Sequence, residues 1–451
     1  MNSDLPIKNS YVGDPDERMV RDISEHKKEA DWILKKRLEG LEIFRQKALP
    51  SWGADLSGLY LKDLLYYLRS TPRTERSWEE VPSEIKETFE QLGIPEAERK
   101  YLAGVSAQYE SETVYQSTRQ YLSDKGVIFT DPETALRDHP DIFAPYWGTV
   151  VEAGNNKFSA LNSAFFSGGS FIYIPKGVKV DLPLQTYFRI NSERLGQFER
   201  TLIIAEEDSF VHYVEGCTAP AYNSSSLHSG VVEVVVKPGA EVVYTTVQNW
   251  SHNVYNLTTK RARVQAGGVM RWIDGNIGSR VTMKYPAIEL CGEGATGEVH
   301  SFTSAGKGQH QDVGAKIIHS APHTTSQVIS KSVSQGGGRA GYRGLLSVAP
   351  EAHGVKSNTV CDALILDPES SSDTYPVMRI NNSDAKIEHE ASVSRISEEQ
   401  MFYLQSRGIP EVEAKTLLVN GFLEPVVKEL PMEYAVELNR LIRMEMEGSV
   451  G

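Results

Sequence analysis

At 451 residues, 40% hydrophobic and 24% charged, the chain has the composition of an ordinary globular protein and length for two or three structural units. A formal net charge of -13 argues against nonspecific binding to nucleic acid or to an anionic membrane surface. No run approaches the roughly 18 apolar residues of a membrane span, and Met1-Asn2-Ser3-Asp4 opens no apolar signal segment. The three scattered cysteines, Cys217, Cys291 and Cys361, are expected as free thiols in a reducing compartment, the cytoplasm.

The first elements read as helical. From Ala30, apolar residues fall at Leu34, Leu38, Leu41, Phe44 and Ala48 on one helical face, until Pro50 stops the pattern. A second helix is expected from Pro82-Ser83 through Ile85, Phe89 and Leu92 to Gly93.

From about Thr149 to Arg395 short β-rich runs take over, such as Phe171-Ile172-Tyr173-Ile174 and Val231-Val232-Glu233-Val234-Val235-Val236. Turn-type positions recur among them at Asp208, Gly239, Gly267, Gly294, Pro322, Pro350 and Asn382, separated by 31, 28, 27, 28, 28 and 32 residues. Strands returning at near-constant spacing, without amphipathic helices between them, suit a parallel β-solenoid whose coils stack. The usual hand of parallel crossovers makes it right-handed. The competing arrangement is an antiparallel sandwich or barrel with irregularly spaced turns.

Helices return at the end. Ser397 and Gln400 suggest a capping box, with Met401 and Leu404 following before Gly408. Pro410 opens a helix that Gly421 should close, and Pro431 opens a last one through Leu438, Leu441 and Ile442. The expected fold is therefore mainly β: a right-handed parallel β-helix core over 149–395, between helical domains over 1–148 and 396–451.

In a solenoid, residues one period apart lie on neighbouring rungs, roughly 4.8 Å apart. A period of 28 sets Cys361 beside His389, in Ile387-Glu388-His389-Glu390-Ala391, and so brings a thiol near two carboxylates and an imidazole. These are groups that bind iron or zinc. The same period sets Arg189 beside Cys217, where a guanidinium would favour the reactive thiolate. Each group also has a plainer reading: a lone cysteine in a β-rich core is more often a small buried hydrophobe. The Glu388-His389-Glu390 run could be a solvated strand edge, and Arg189 could pair with a surface acid. Cys291 is read as such a buried hydrophobe.

Several chemistries are absent. Gly292 to Gly297 is followed by Glu298 where a phosphate loop needs lysine, and the Gly292, Gly294, Gly297 pattern leads into a strand rather than a helix. No Gly-x-Ser-x-Gly elbow, His-Glu-x-x-His motif or Cys-x-x-Cys pair occurs, and three cysteines cannot supply a four-cysteine site.

Leu184-Gln185-Thr186-Tyr187-Phe188-Arg189-Ile190-Asn191, Gly196-Gln197-Phe198-Glu199-Arg200-Thr201, Val214-Glu215-Gly216-Cys217-Thr218-Ala219-Pro220, Thr246-Val247-Gln248-Asn249-Trp250, Tyr342-Arg343-Gly344-Leu345 and Glu388-His389-Glu390-Ala391 with Ser394-Arg395 carry a family likeness. Across nearly the whole chain the sequence resembles the SufB scaffold family of the SUF iron–sulfur cluster assembly system. That resemblance implies a right-handed parallel β-helix between helical ends and a scaffold role rather than an enzyme. It also implies an ABC-type ATPase partner, SufC, on the C-terminal helical region, a SufD paralogue or second copy paired through the β-helix, and a cysteine desulfurase system as sulfur donor. Cys361 matches the cysteine implicated in holding the nascent cluster, and Glu388, His389 and Glu390 match the run proposed to complete its ligation. Cys217 matches a sulfur-accepting cysteine, with Arg189 and Asn191 near that path. The cofactor implied is a transient iron–sulfur cluster; reduced flavin accompanies some such complexes, although no flavin fingerprint stands in this sequence. Two other classes compete: a polysaccharide-cleaving β-helix enzyme using Glu388 and Glu390, and the silent SufD-type structural partner.

Overall fold

The computed structural model describes residues 8–69, 74–75, 80–83, 85, 102–428 and 440–443. β-Branched runs buried on both faces, such as Val231–Val236, form the strands. Two long sheets result, one of ten strands and one of 13. The first is parallel from Leu184–Arg189 through Phe210–Thr218, Glu241–Trp250, Val269–Gly278, Thr296–Ala305, Thr325–Ser334 and Lys356–Ile365 to Lys386–Arg395. The second supplies the return strands, so each coil crosses from one sheet to the other, as expected of a parallel β-helix.

The second sheet changes character along the stack. In the early coils two short strands make the return, for example Val281–Lys284 and Ala287–Leu290. The strand His310–His319 then pairs with both, its first half with one and its second half with the other. From there each return is a single ten-residue strand, Arg339–Val348 and then Ser371–Ile380.

The turn markers are sound at first and drift later. Asp208, Gly239, Gly267 and Gly294 all have left-handed backbones, and each N–H bonds to a carbonyl in the turn of the next coil, at 2.9 to 3.1 Å. Further on, the equivalent positions are His323 and Gly354 rather than Pro322 and Pro350. Strand register gives coils of 29, 31 and 30 residues there, since Thr296 pairs with Thr325, Thr325 with Lys356, and Lys356 with Lys386.

The helix expected after Ala30 is Asp31–Gln46, with Leu41 and Phe44 buried. It packs on Lys157–Phe165 at Gly40, where an added Cβ would lie 2.9 Å from the Ala160 carbonyl oxygen. Strands before Thr149 also join the sheets: Gly104–Tyr109 pairs with Leu184–Arg189, and Ile128–Thr130 with Phe171–Ile174. The helix expected over 82–93 lies largely outside the described residues, as does the one from Pro431, of which only 440–443 are seen as helical.

At the C-terminal end, the Ser397 side chain caps Glu398–Ser406 through the Gln400 N–H, 3.2 Å away. Gly421 does not close the next helix. Glu411–Val427 runs through it, with Pro425 inside, because Leu423 and Val426 are needed against the outer face of the first sheet. There they meet Ile273, Phe302, Val333 and Leu364. The C-terminal end of the stack itself is open: Ser371–Ile380 and Lys386–Arg395 are edge strands, exposing Tyr375, Val377, Met378, Ile380 and Val393.

Candidate sulfur and cluster sites in the solenoid interior

Side chains alternate across a strand, so register decides what shares the interior. One inward column of the first sheet is aromatic: Tyr213, Tyr244 and Trp272, with successive ring centroids 4.9 Å apart. The next is polar over six rungs: Glu215, Thr246, Asp274, Ser301, Ser330 and Cys361 stand directly above one another. None of the six is more than 4% exposed. Beside it a third column begins at Cys217 and continues through Gln248, Asn276, Thr303 and Ser332. The two thiols are thus five rung spacings apart, about 24 Å, in adjacent columns of one wall.

At the Cys217 end the polar groups form a buried charged cluster. The Cys217 thiol donates to Glu215 Oε1 at 3.6 Å and receives Gln248 Nε2 at 4.0 Å. Lys260 Nζ lies 3.5 Å from Asp274 Oδ1 and 3.8 Å from Glu215 Oε1. Lys284 Nζ donates to Asp274 Oδ1 at 3.1 Å and to Gln248 Oε1 at 3.3 Å. Asn256 continues the chain from Gln248 to His228, which meets Glu199 Oε1 at 2.5 Å. Burial would raise the Asp274 carboxyl, but Lys260 and Lys284 hold it below the ordinary aspartate range. Burial wins at Lys284, whose amine is lowered to about 8 despite Asp274.

The expected Arg189–Cys217 contact is overturned. Cys217 is opposite Phe188, and Arg189 is opposite Thr218, so guanidinium and thiol lie on different faces. Arg189 Nη1 donates to Thr218 Oγ1 at 3.2 Å. The Asn191 N–H donates to Glu110 Oε2 at 3.0 Å, and its amide to the Tyr109 hydroxyl. Arg189 therefore does not activate this thiol; burial and the nearby Glu215 and Glu199 push the Cys217 thiol well up, only partly offset by Lys260 and Lys284.

At the open end, the expected grouping is brought together only in part. The coil is 30 residues, so Cys361 is opposite Ala391, and His389 is opposite Thr359. Cys361 and His389 share the interior, while Glu388 and Glu390 alternate to the outer face, where Glu388 Oε2 receives Asn358 Nδ2 at 3.5 Å. His389 and Thr359 line a cavity of about 20 Å³, and His389 Nε2 is buried without a hydrogen-bond partner among the described residues. No three His, Cys, Asp or Glu side chains are gathered as a ready metal cage among the described residues. Burial pushes the Cys361 thiol up to about 12.

Cys291 is exposed, its sulfur 3.1 Å from the Val264 carbonyl oxygen, so it is no core hydrophobe. Near neutral pH iodoacetamide should modify Cys291 alone in the native protein, with Cys217 and Cys361 reacting only on unfolding. Mass mapping of the alkylated peptides checks this, and native labelling of Cys217 would contradict the closed interior.

The chain is thus a parallel β-helix whose interior carries a polar column from Glu215, beside Cys217, to Cys361. Comparison with known proteins gives its family. The description "SUF system FeS cluster assembly, SufBD core domain" matches residues 188–422, and "SufBD protein N-terminal region" matches 22–186. The chain is 59% identical over 435 residues to an iron–sulfur cluster assembly SufBD family protein of Staphylococcus saprophyticus, covering 96% of this chain and 94% of the relative. The corresponding proteins of Staphylococcus haemolyticus, 59% identical, and Staphylococcus aureus strain USA300, 58% identical, match over the same shares. The chain belongs to the SufBD family and is a component of iron–sulfur cluster assembly. No helix among the described residues is long and apolar enough to cross a membrane.

Proposed function

We propose that this chain is the SufB-type scaffold of its SUF system, a cytoplasmic non-enzyme on which a labile cluster is built and from which it is passed on. The observation that carries the reading is the polar column from Glu215, beside Cys217, to Cys361. Asp274 Oδ2 in it, and Asn276 Oδ1 and Thr303 Oγ1 in the column beside it, are buried with no hydrogen-bond partner among the described residues and ask for water or a passing solute. A donor persulfide passes its outer sulfur to the Cys217 thiol, by way of the surface around Arg189 and Asn191, and leaves as a thiol. Two electrons, for which reduced flavin in the complex is the candidate donor, then cleave the Cys217 persulfide, and the sulfide released travels down the column to iron at the Cys361 rung.

Cys361 and His389 are the interior ligands; Glu388 and Glu390 join only after the open end rearranges. Few thiolates and mixed oxygen or nitrogen ligands make a labile cluster, which suits a protein that gives its product away. The driving partner is the SufC ATPase, docked on the C-terminal helices, where Phe402 is 73% and Tyr403 57% exposed. A SufD paralogue or second copy covers the apolar edge strands at the open end.

The test separates path from site. Ser301→Ala with Ser330→Ala makes two successive rungs of the column apolar at nearly constant volume. Persulfide-driven assembly should fall at least tenfold, while reconstitution from free iron and sulfide stays as in wild type. Unchanged persulfide-driven assembly would remove the interior route.

A further inference from the structure

We infer that Glu215 is the general base of sulfur acceptance at Cys217: its carboxylate takes the thiol proton as the sulfur attacks a donor persulfide, and hands it to the leaving thiolate. This rests on the reading of Cys217 as the sulfur acceptor and adds the catalytic residue that acceptance requires.

The thiol is sealed from bulk water, with Cys217 0% exposed, so its proton must pass to a group of the wall. Among the described residues two side chains hydrogen-bond to this sulfur, and they have opposite roles. Glu215 Oε1, 3.6 Å away, accepts from the thiol, whereas Gln248 Nε2, at 4.0 Å, can only donate. The Gln248 amide is held that way round because its Oε1 receives Asn256 Nδ2 at 2.7 Å and Lys284 Nζ at 3.3 Å. Glu215 and Cys217 are two residues apart on Phe210–Thr218, so both point inward from one face. The carboxylate is fixed at its far end, where Oε2 accepts from the Tyr244 hydroxyl of the next coil. Lys260 Nζ reaches Oε1 from the other wall at 3.8 Å. Tyr213 on the same strand, with Lys284, Asp274, Glu199 and His228 beyond, are the other titratable groups around it.

The reaction balances without an oxidant or reductant. The Cys217 sulfur bonds to the outer sulfur of R–S–SH while the donor's S–S bond breaks. The Cys217 proton moves to Glu215 Oε1 and then to the leaving thiolate, giving Cys217–S–SH and R–SH. A forming S–S bond makes the S–H proton acidic, so a carboxylate takes it without the buried thiol ionising first. The Gln248 N–H meets the charge that develops on the sulfur.

A carboxylate acting only as a charge gives the opposite sign. Glu215 is one of the groups that push the thiol up, so deleting its charge alone would ease ionisation and speed transfer. The experiment feeds the full chain inorganic disulfide, HS–SH, a donor with nothing beyond its two sulfurs. Sulfur gain on the Cys217 peptide is followed by mass, with exposed Cys291 as internal standard. Glu215→Gln should accept sulfur roughly 100-fold more slowly than wild type at neutral pH. The gap should narrow about tenfold per pH unit above that, since the variant waits for the thiol to ionise. Glu215→Asp keeps the charge near Lys260 but withdraws it from the sulfur, and should slow in the same sense; it carries the test if Glu215→Gln does not fold. Equal or faster transfer in either variant, or a gap unmoved by pH, would overturn the inference. Sulfur gained at Cys291 and never at Cys217 of the wild type would instead take down Cys217 as the acceptor, and this inference with it.

Discussion

Asp274→Ala should destabilise the protein by roughly 3–5 kcal/mol, the usual result of removing one member of a buried ion cluster. The carboxylate is 1% exposed and answers two ammonium groups, Lys260 and Lys284. Without it, two fully buried cations share the single carboxylate of Glu215, 3.8 Å from Lys260. Because Lys260 and Lys284 hold the folded-state carboxyl low, its contribution is fully present above the ordinary aspartate range. It is lost as pH falls through the folded value. The difference between wild type and variant, read from denaturant midpoints, should therefore be full at neutral pH and shrink in acid. Adding Lys284→Met should restore much of the loss, since a buried pair replaced by apolar groups is often neutral or better. That recovery would show that the fold can do without the charged cluster. A double variant as unstable as the single one would make the cluster structural.

Much of the fold is legible in the sequence because left-handed turn positions must recur wherever coils stack. Asp208, Gly239, Gly267 and Gly294 give the first coil lengths directly. The reading slips where the left-handed turn residue is His323, whose side chain advertises nothing, and where Pro350 and Asn382 draw the eye from Gly354 and its Asp384 cap. Two residues of slippage put His389 where Ala391 stands, and a single residue put Arg189 where Phe188 stands. With side chains alternating, the one-residue error exchanges the inside for the outside. The strands at Gly104–Tyr109 and Glu112–Thr118 fall outside the coil period: the first pairs with Leu184–Arg189, some 80 residues on, and the second adds to it as an antiparallel edge strand.

The polar column was within reach of the same sequence. Glu233 and Glu289 also interrupt apolar strands, so a lone acid there is ambiguous. Only true coil lengths line up Glu215 with Thr246, Asp274, Ser301, Ser330 and Cys361. Lys260 and Lys284 come from the other sheet and join the column through tertiary packing alone.

Cys361→Ala should remove the cluster almost entirely. Its sulfur is the sole thiolate at the open end among the described residues, and His389 alone offers iron one nitrogen. Carboxylates on the outer face cannot replace a soft ligand for a cluster. The substitution itself is mild, a small buried group for another in a wall that continues into Ala363 and Ala391, so the fold should survive. The measurement is anaerobic reconstitution of wild type and Cys361→Ala with iron and sulfide, followed by visible absorption and iron counting. A labile chromophore in wild type and none in the variant is the result this account predicts. Equal iron and equal absorption in both would contradict it.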